Sequence, residues 1–253
     1  MFEIKNLCLF DENRLPKEIN IATITLHGYL KDILINFDNI INNLDINEKI
    51  CSMEYKNKIK TFNDIIISKT RKKKKSNFQN SMSLYVFGNK LIHINFFKNG
   101  TLHITGAKSI NDVDKAINNL FHELQKNNDK YQYYIGELNL YKLKISMINV
   151  NVKLQYEINK DIFKKILIKE KYNCCFNKTQ NISLKYKTSS NNLITTIIHK
   201  NSLIISKCIN ENDIIETYNY IFNILNKLKG KIIYIDNDCI LNENKNLKKY
   251  VTL

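Results

Sequence analysis

The sequence predicts an α+β protein of two pseudo-symmetric lobes, each an antiparallel sheet with two helices on one face. Three observations carry that prediction. Residues 91–124 read as strand, tight turn, strand, helix, with Asn99-Gly100 as a strong hairpin turn. Within this unit Ile92, Ile94 and Phe96 alternate with His93, Asn95 and Phe97, and Leu102 and Ile104 with His103 and Thr105. One face of such a sheet is aliphatic and takes the helices; the other is polar and aromatic and stays free to bind. Finally, the pattern recurs: the helix starts Ser109 and Asn210 stand 101 residues apart, as do Phe97 and Ile198 beside the two turns. Two features at one offset mark a duplication.

Taken in order, residues 1–18 are an N-terminal extension closed by Pro16. Residues 20–26 are rich in β-branched side chains and predict a strand, broken by His27-Gly28. Leu30, Ile33, Leu34, Phe37, Ile40, Ile41 and Leu44 have helical spacing. Residues 45–77 are less regular: 50–59 alternate as a strand would, 64–68 are a short apolar run, and 69–77 form a basic loop around Arg71 and Lys72 to Lys75. That loop suits phosphates or a nuclear address as well as it suits plain solvation. Residues 78–86 predict a strand and Gly88-Asn89 a turn before the central unit. Ser109 caps the following helix, with Asp112 three residues on. Its apolar stripe is Ile110, Val113, Ile117, Leu120, Phe121 and Leu124, and Asn127-Asn128 close it. These elements make a first repeat over 19–128.

A polar, tyrosine-bearing connection over 129–141 leads to a second repeat over 142–230. There 149–154 predict a strand, and Ile162, Phe163, Ile166 and Leu167 a helix. Ser183-Leu184 match Ser83-Leu84, 194–198 and 203–206 predict strands around the turn Lys200-Asn201, and a long helix starts at Asn210 with Asp213 three on. Gly230 ends it, and 231–253 hold one more strand, near 231–235, and a polar tail.

The chain has 253 residues and a net charge of +15, with a pI near 9.4. That favours an anionic partner, above all nucleic acid, although Lys, Asn and Ile also accumulate in AT-rich genomes. The N-terminal residues carry charges inside every apolar run, unlike a signal peptide, and no apolar run suits a membrane span. Six cysteines, Cys8, Cys51, Cys174, Cys175, Cys208 and Cys239, form no CxxC pair and predict reduced thiols in an intracellular compartment. Enzyme readings are weak: Asp236-Asn237-Asp238 has no third carboxylate motif near it, and Gly-rich phosphate loops and Ser-His-Asp arrangements are missing from the sequence. The expectation is a non-enzyme with no cofactor and no metal.

Phe97-Lys98-Asn99-Gly100 followed by Thr105-Gly106-Ala107-Lys108 and a helix start resembles the TATA-box-binding protein family, which carries Phe-x-x-Gly and then Thr-Gly-Ala-Lys at this spacing. The resemblance implies a saddle whose concave sheet binds the DNA minor groove. Phenylalanine pairs would wedge between base steps and bend the duplex, most easily at flexible TA steps. Carried over residue by residue, the wedges are Phe78 and Phe97 in the first repeat and Phe176 and Ile198 in the second. Asn20 and Asn149 match the family's groove-facing asparagines, and Thr105 and Ser206 its groove-facing hydroxyls, suited to the A·T acceptor pattern. Lys108 matches a phosphate-contacting lysine. The second repeat departs from the pattern, with Lys207-Cys208-Ile209 in place of Gly-Ala-Lys and Asn201 in place of the turn glycine.

The expected function is a transcription initiation factor on double-stranded, A·T-rich promoter DNA. The resemblance implies as partners a transcription factor B-like protein and the RNA polymerase machinery, with no membrane. The AT-biased composition points to a large DNA virus or another AT-rich genome, acting in the nucleus or a cytoplasmic viral factory or packaged in the virion. The alternatives are a protein-interaction scaffold that keeps the saddle without sequence-selective DNA binding, and a nuclease accessory that would need a metal at Asp236.

Overall fold

The computed structural model describes residues 10–62, 80–176 and 181–233. Their elements are, in chain order, β1 (Ile19–Leu30), β2 (Leu34–Ile35), α1 (Phe37–Asn43), β3 (Ile50–Tyr55), β4 (Lys58–Thr61), β5 (Ser81–Phe87), β6 (Leu91–Phe97), β7 (Thr101–Ala107), α2 (Ile110–Lys126) and α3 (Asn128–Tyr131). The second half follows with β8 (Tyr134–Ile135), β9 (Leu140–Lys153), α4 (Lys160–Lys169), β10 (Cys174–Phe176), β11 (Ile182–Lys187), β12 (Leu193–Ile198), β13 (Ser202–Cys208) and α5 (Glu211–Ile232).

Eleven of the strands form one sheet in the order β10-β11-β12-β13-β9-β1-β7-β6-β5-β3-β4, every neighbouring pair antiparallel. The order is palindromic in kind. Outward from the central pair β1 and β9, each side has the second strand of a hairpin, the first strand, and the strand before it. The register shows a two-fold relation between the halves. Ile24 pairs with Ile148, and on either side of them Thr25 pairs with Met147 and Thr23 with Asn149. Ile24 also pairs with Ala107 in β7, and Ile148 with Cys208 in β13, which stands 101 residues beyond Ala107. Strand β4, next to β3, has no counterpart in the second lobe among the described residues.

The helices cover one face only. Helix α2 lies on β5, β6 and β7, and α5 on β12 and β13, with α4 against α5 and α1 against β3. Their stripes meet the aliphatic strand faces: Ile92, Ile94, Phe96, Leu102 and Ile104 lie under Val113, Ile117, Leu120 and Phe121, and Ile194, Ile198, Leu203 and Ile205 under Ile214, Ile221 and Leu225. Each such side chain contributes about 1.5–3 kcal/mol by leaving water. Phe96 sets its ring edge-on to Phe37 of α1 at 5.6 Å.

Both long helices begin in the same way. Ser109 Oγ accepts from the Asp112 N–H at 3.2 Å, while Asp112 Oδ2 accepts from the N–H groups of Ser109 and Lys108 at 3.1 and 2.9 Å. In the second lobe Asn210 Oδ1 accepts from the Asp213 N–H at 2.8 Å, and Asp213 Oδ2 accepts from the Ile209 N–H at 3.1 Å. A cap satisfies helix-terminal donors that would otherwise lie unpaired. The duplication thus extends to individual hydrogen bonds.

Several elements differ from the sequence expectation. Strand β1 does not stop at His27-Gly28. A Cβ on Gly28 would stand 3.1 Å from Leu140 Cδ1, so the glycine serves close strand approach rather than a break. The residues 30–36, expected as a first helical turn, instead finish β1, turn at Asp32 with φ 50°, and form β2. Helix α1 starts only after Asn36, whose side chain accepts from the Asn39 N–H at 3.0 Å. The 45–77 region supplies the hairpin β3–β4. Strand β9 starts nine residues before Asn149 and takes in the end of the expected connection. Gly230 does not end α5, which runs on to Ile232. Ile233 makes a single bridge to Ile158 where a strand was expected. Phe78, the basic run 71–75 and Asp236-Asn237-Asp238 lie outside the described residues.

Candidate nucleic-acid interface

Among the described residues nothing covers the sheet face opposite the helices, and alternation decides what stands on it. In the first lobe Tyr85 of β5, His93, Asn95 and Phe97 of β6, and Thr101, His103 and Thr105 of β7 are half-buried side chains between fully buried ones. They are knitted across strands. Ser83 Oγ lies 2.8 Å from His93 Nε2, and His93 Nδ1 lies 3.4 Å from Thr105 Oγ1. The Tyr85 ring lies over His93 at 4.7 Å, and His103 meets His27 of β1 at 4.9 Å. Burial, and then the neighbouring His27, hold the His103 pKa below the ordinary histidine value, so this imidazole is neutral at pH 7 and offers both a donor and an acceptor.

At the end of this lobe the face forms an open depression of about 610 Å³. It is lined by Phe97, Thr101 and His103, by His27 and Tyr29 of β1, and by Lys142 and Lys144 of β9. The turn holds Phe97 there. The Gly100 N–H donates to the Phe97 carbonyl at 3.0 Å, and Gly100 adopts φ +81°, where a Cβ would meet the Leu30 carbonyl oxygen at 2.5 Å. Glycine is required at that position. The lysines arrive because His27 pairs with Lys144 and Tyr29 with Lys142 across the lobe boundary. An aromatic ring on one side of the depression and two exposed lysines three strands away on the other suit a ligand with flat apolar faces and phosphates.

The second lobe has a different face. Phe96 pairs with Leu102, whereas Ile198 pairs with Leu203, so this hairpin is one residue shorter in its turn. A one-residue change moves every side chain to the other face. Ile198 is consequently fully buried, equivalent to Phe96, and His199 stands where Phe97 stands in the first lobe. The expected wedge Ile198 belongs to the core. Phe176, another expected wedge, is also on the helix side: it pairs with the buried Ile182, and the Lys164 ammonium of α4 lies 4.8 Å from its ring. By the same register Lys185 replaces Tyr85, Lys187 replaces Phe87, and the pair Ile197–Ile204 replaces Asn95–His103.

The remaining expected residues are on the open face or its rim. Thr105 and Ser206 occupy equivalent places, opposite His93 and Thr195, and Ser206 Oγ donates to the Thr195 carbonyl at 3.0 Å. Lys108 is exposed just after β7. Asn20 and Asn149 share the face but not the symmetry. Asn20 pairs with Asn151 and is equivalent to Lys144, which pairs with His27; Asn149 is equivalent to Thr25, beside the two-fold axis. Asn149 Oδ1 is buried without a hydrogen-bond partner among the described residues. Sequence reasoning missed His27, Tyr29, Lys142 and Lys144. Their signal was present: Lys142 and Lys144 alternate with Leu143 and Ile145 at the start of the second repeat, ahead of the strand expected from residue 149.

Among the described residues no cluster of three metal-ligating side chains occurs, and no helix is long and apolar enough to cross a membrane. No protein-family model matches the chain. A relative described as TATA-box-binding protein-like, from Acanthamoeba polyphaga mimivirus, is 29% identical over 247 residues, a match covering 85% of this chain and 66% of the relative. The chain thus spans just under two thirds of that relative's length. Among solved structures, the Methanococcus jannaschii TBP superposes with a TM-score of 0.58 at 15% identity, covering 83% of this chain and 98% of that one. That likeness shows the fold, a large antiparallel sheet with helices on one side. Together with the sequence match, it marks the chain as similar in sequence to a TATA-box-binding-protein-like protein and similar in fold to TBP.

Proposed function

We propose that the chain is a transcription initiation factor that binds A·T-rich duplex DNA by its open sheet face, through the minor groove, and bends it. The observation that carries this reading is Phe97, a ring fixed at the lobe end by the Gly100 turn, half-buried, in a depression whose far side, on β9, carries Lys142 and Lys144. An apolar wedge between base steps costs unstacking, which is offset by the base faces it covers and by the added contact that a bend allows. The neutral hydrogen-bonding groups behind it, His103, Asn95 and Thr105, suit a groove that presents acceptors at A·T pairs. The lysines supply salt-dependent affinity. The role is non-enzymatic. Its partners are a transcription factor B-like protein and RNA polymerase on the helix side and ends of the sheet, within the nucleus or a viral factory.

The test is a titration of end-labelled duplexes, one A·T-rich with TA steps and one G·C-rich, read by energy transfer at two salt concentrations. The expected result is tighter binding and a shortened end-to-end distance for the A·T duplex alone. Equal binding to both duplexes, with both straight and both released by salt, would overturn the reading in favour of a protein-interaction scaffold.

A further inference from the structure

The two lobes do not offer DNA the same chemistry. Position by position, the first lobe's Tyr85, Phe87 and Phe97 are matched in the second by Lys185, Lys187 and His199. The second lobe's aromatic candidate, Phe176, is on the helix side under Lys164, and its aliphatic candidate, Ile198, is fully buried. Its open-face aliphatic pair, Ile197 and Ile204, lies within the strands rather than at the hairpin end. Meanwhile the end of the first lobe receives two lysines from β9, whereas the equivalent places in β1, facing the second lobe, hold Glu18 and Asn20.

We propose that this chain kinks DNA at one end only. The first lobe inserts Phe97 at a single base step, and the second lobe holds the duplex by lysine contacts to phosphate without unstacking a step. The proposal rests on the minor-groove reading above and deepens it. It has a consequence for specificity, since a single wedge makes the complex directional. The first lobe selects the flexible step, so the protein's orientation on a site follows from the position of that step.

The experiment uses the full chain and three A·T duplexes: one with a TA step at one end of the tract, one with TA steps at both ends, and one with none. End-to-end energy transfer reports the bend, and 2-aminopurine placed at either end of the single-TA tract reports unstacking. The expected result is a fluorescence rise at the TA end and none at the other. The one-TA and two-TA duplexes are bent alike, both more than the duplex lacking the step. Lys185→Ala with Lys187→Ala weakens binding severalfold and flattens its salt dependence while leaving the 2-aminopurine rise intact. A rise at both ends, or a clearly larger bend on the two-TA duplex, overturns the single kink and leaves minor-groove bending standing. Straight duplexes without any rise overturn both.

Discussion

Replacing Phe97 by alanine should abolish the bend while leaving the fold in place, and its magnitude follows from where the ring sits. Phe97 is half-buried in the free protein, with Thr101 and His103 of the neighbouring strand β7 lining the same depression. If roughly a third of a ring side chain of ~200 Å² remains to be covered by a base step, then ~65 Å² at about 25 cal/mol per Å² gives ~1.6 kcal/mol. That value lies within the ~1–3 kcal/mol measured for base–aromatic stacking by alanine substitution. The expected loss is therefore about tenfold in affinity, together with the loss of energy-transfer change on the A·T duplex. The neighbouring Phe96 is the control of opposite kind. It is 1% exposed and packed on Phe37, so Phe96→Ala should cost ~3–5 kcal/mol of folding stability. Urea unfolding separates the two substitutions before any DNA is added. If folded Phe97→Ala binds and bends the A·T duplex like the wild type, the wedge argument fails, and with it the assignment of the first lobe's end as the bending site.

Three further outcomes are expected. Lys142→Ala and Lys144→Ala should each weaken binding on all sequences and lower the slope of log affinity against log salt by about 1; an unchanged slope in the double variant would remove β9 from the interface. Gly100→Ala forces a side chain at φ +81° into the Leu30 carbonyl, which accounts for one edge of the Phe97 turn. It should cost ~1–3 kcal/mol and lower the thermal midpoint by several degrees, whereas an unchanged midpoint would contradict the required left-handed turn. The third concerns pH. The folded His103 pKa is held down, by burial first and then by His27, so the unfolded chain binds this proton more readily. The stability this group contributes is full above the ordinary histidine value of about 6.5 and is lost as pH falls below it. His103→Asn should flatten denaturant-measured stability between pH 7 and 5, and an equally steep decline in the variant would place its cause elsewhere.

Legibility in the sequence followed the range of the interaction. Ser109 and Asp112 announced α2 because a capping box is complete within four residues. Phe97-Lys98-Asn99-Gly100 announced the first turn because a positive φ needs glycine and leaves that mark in the chain. The burial alternation of β6 and β7 was readable because one face of a sheet must be apolar, and the 101-residue spacing of Ser109 and Asn210 exposed the duplication. With Thr105-Gly106-Ala107-Lys108, these local signals were enough for the fold class and the first lobe's face.

What only the tertiary structure decided were matters of register. Ile198 and Phe97 share the same offset as the helix starts, yet the second hairpin closes one residue sooner, and that single residue places Ile198 in the core and His199 on the open face. No local signal encodes that choice. It is settled by which pairing lets Ile194, Ile198, Leu203 and Ile205 meet α5 together. The same holds for β1 and β9. Their long antiparallel pairing brings Lys142 and Lys144 into the depression that Phe97 lines, from more than 40 residues away, and it makes Asn149 the counterpart of Thr25 rather than of Asn20. Caps, turns and periodicity are short-range and were written in the sequence by itself; which residues of the two halves face one groove depends on contacts that exist only once the sheet has closed across its centre.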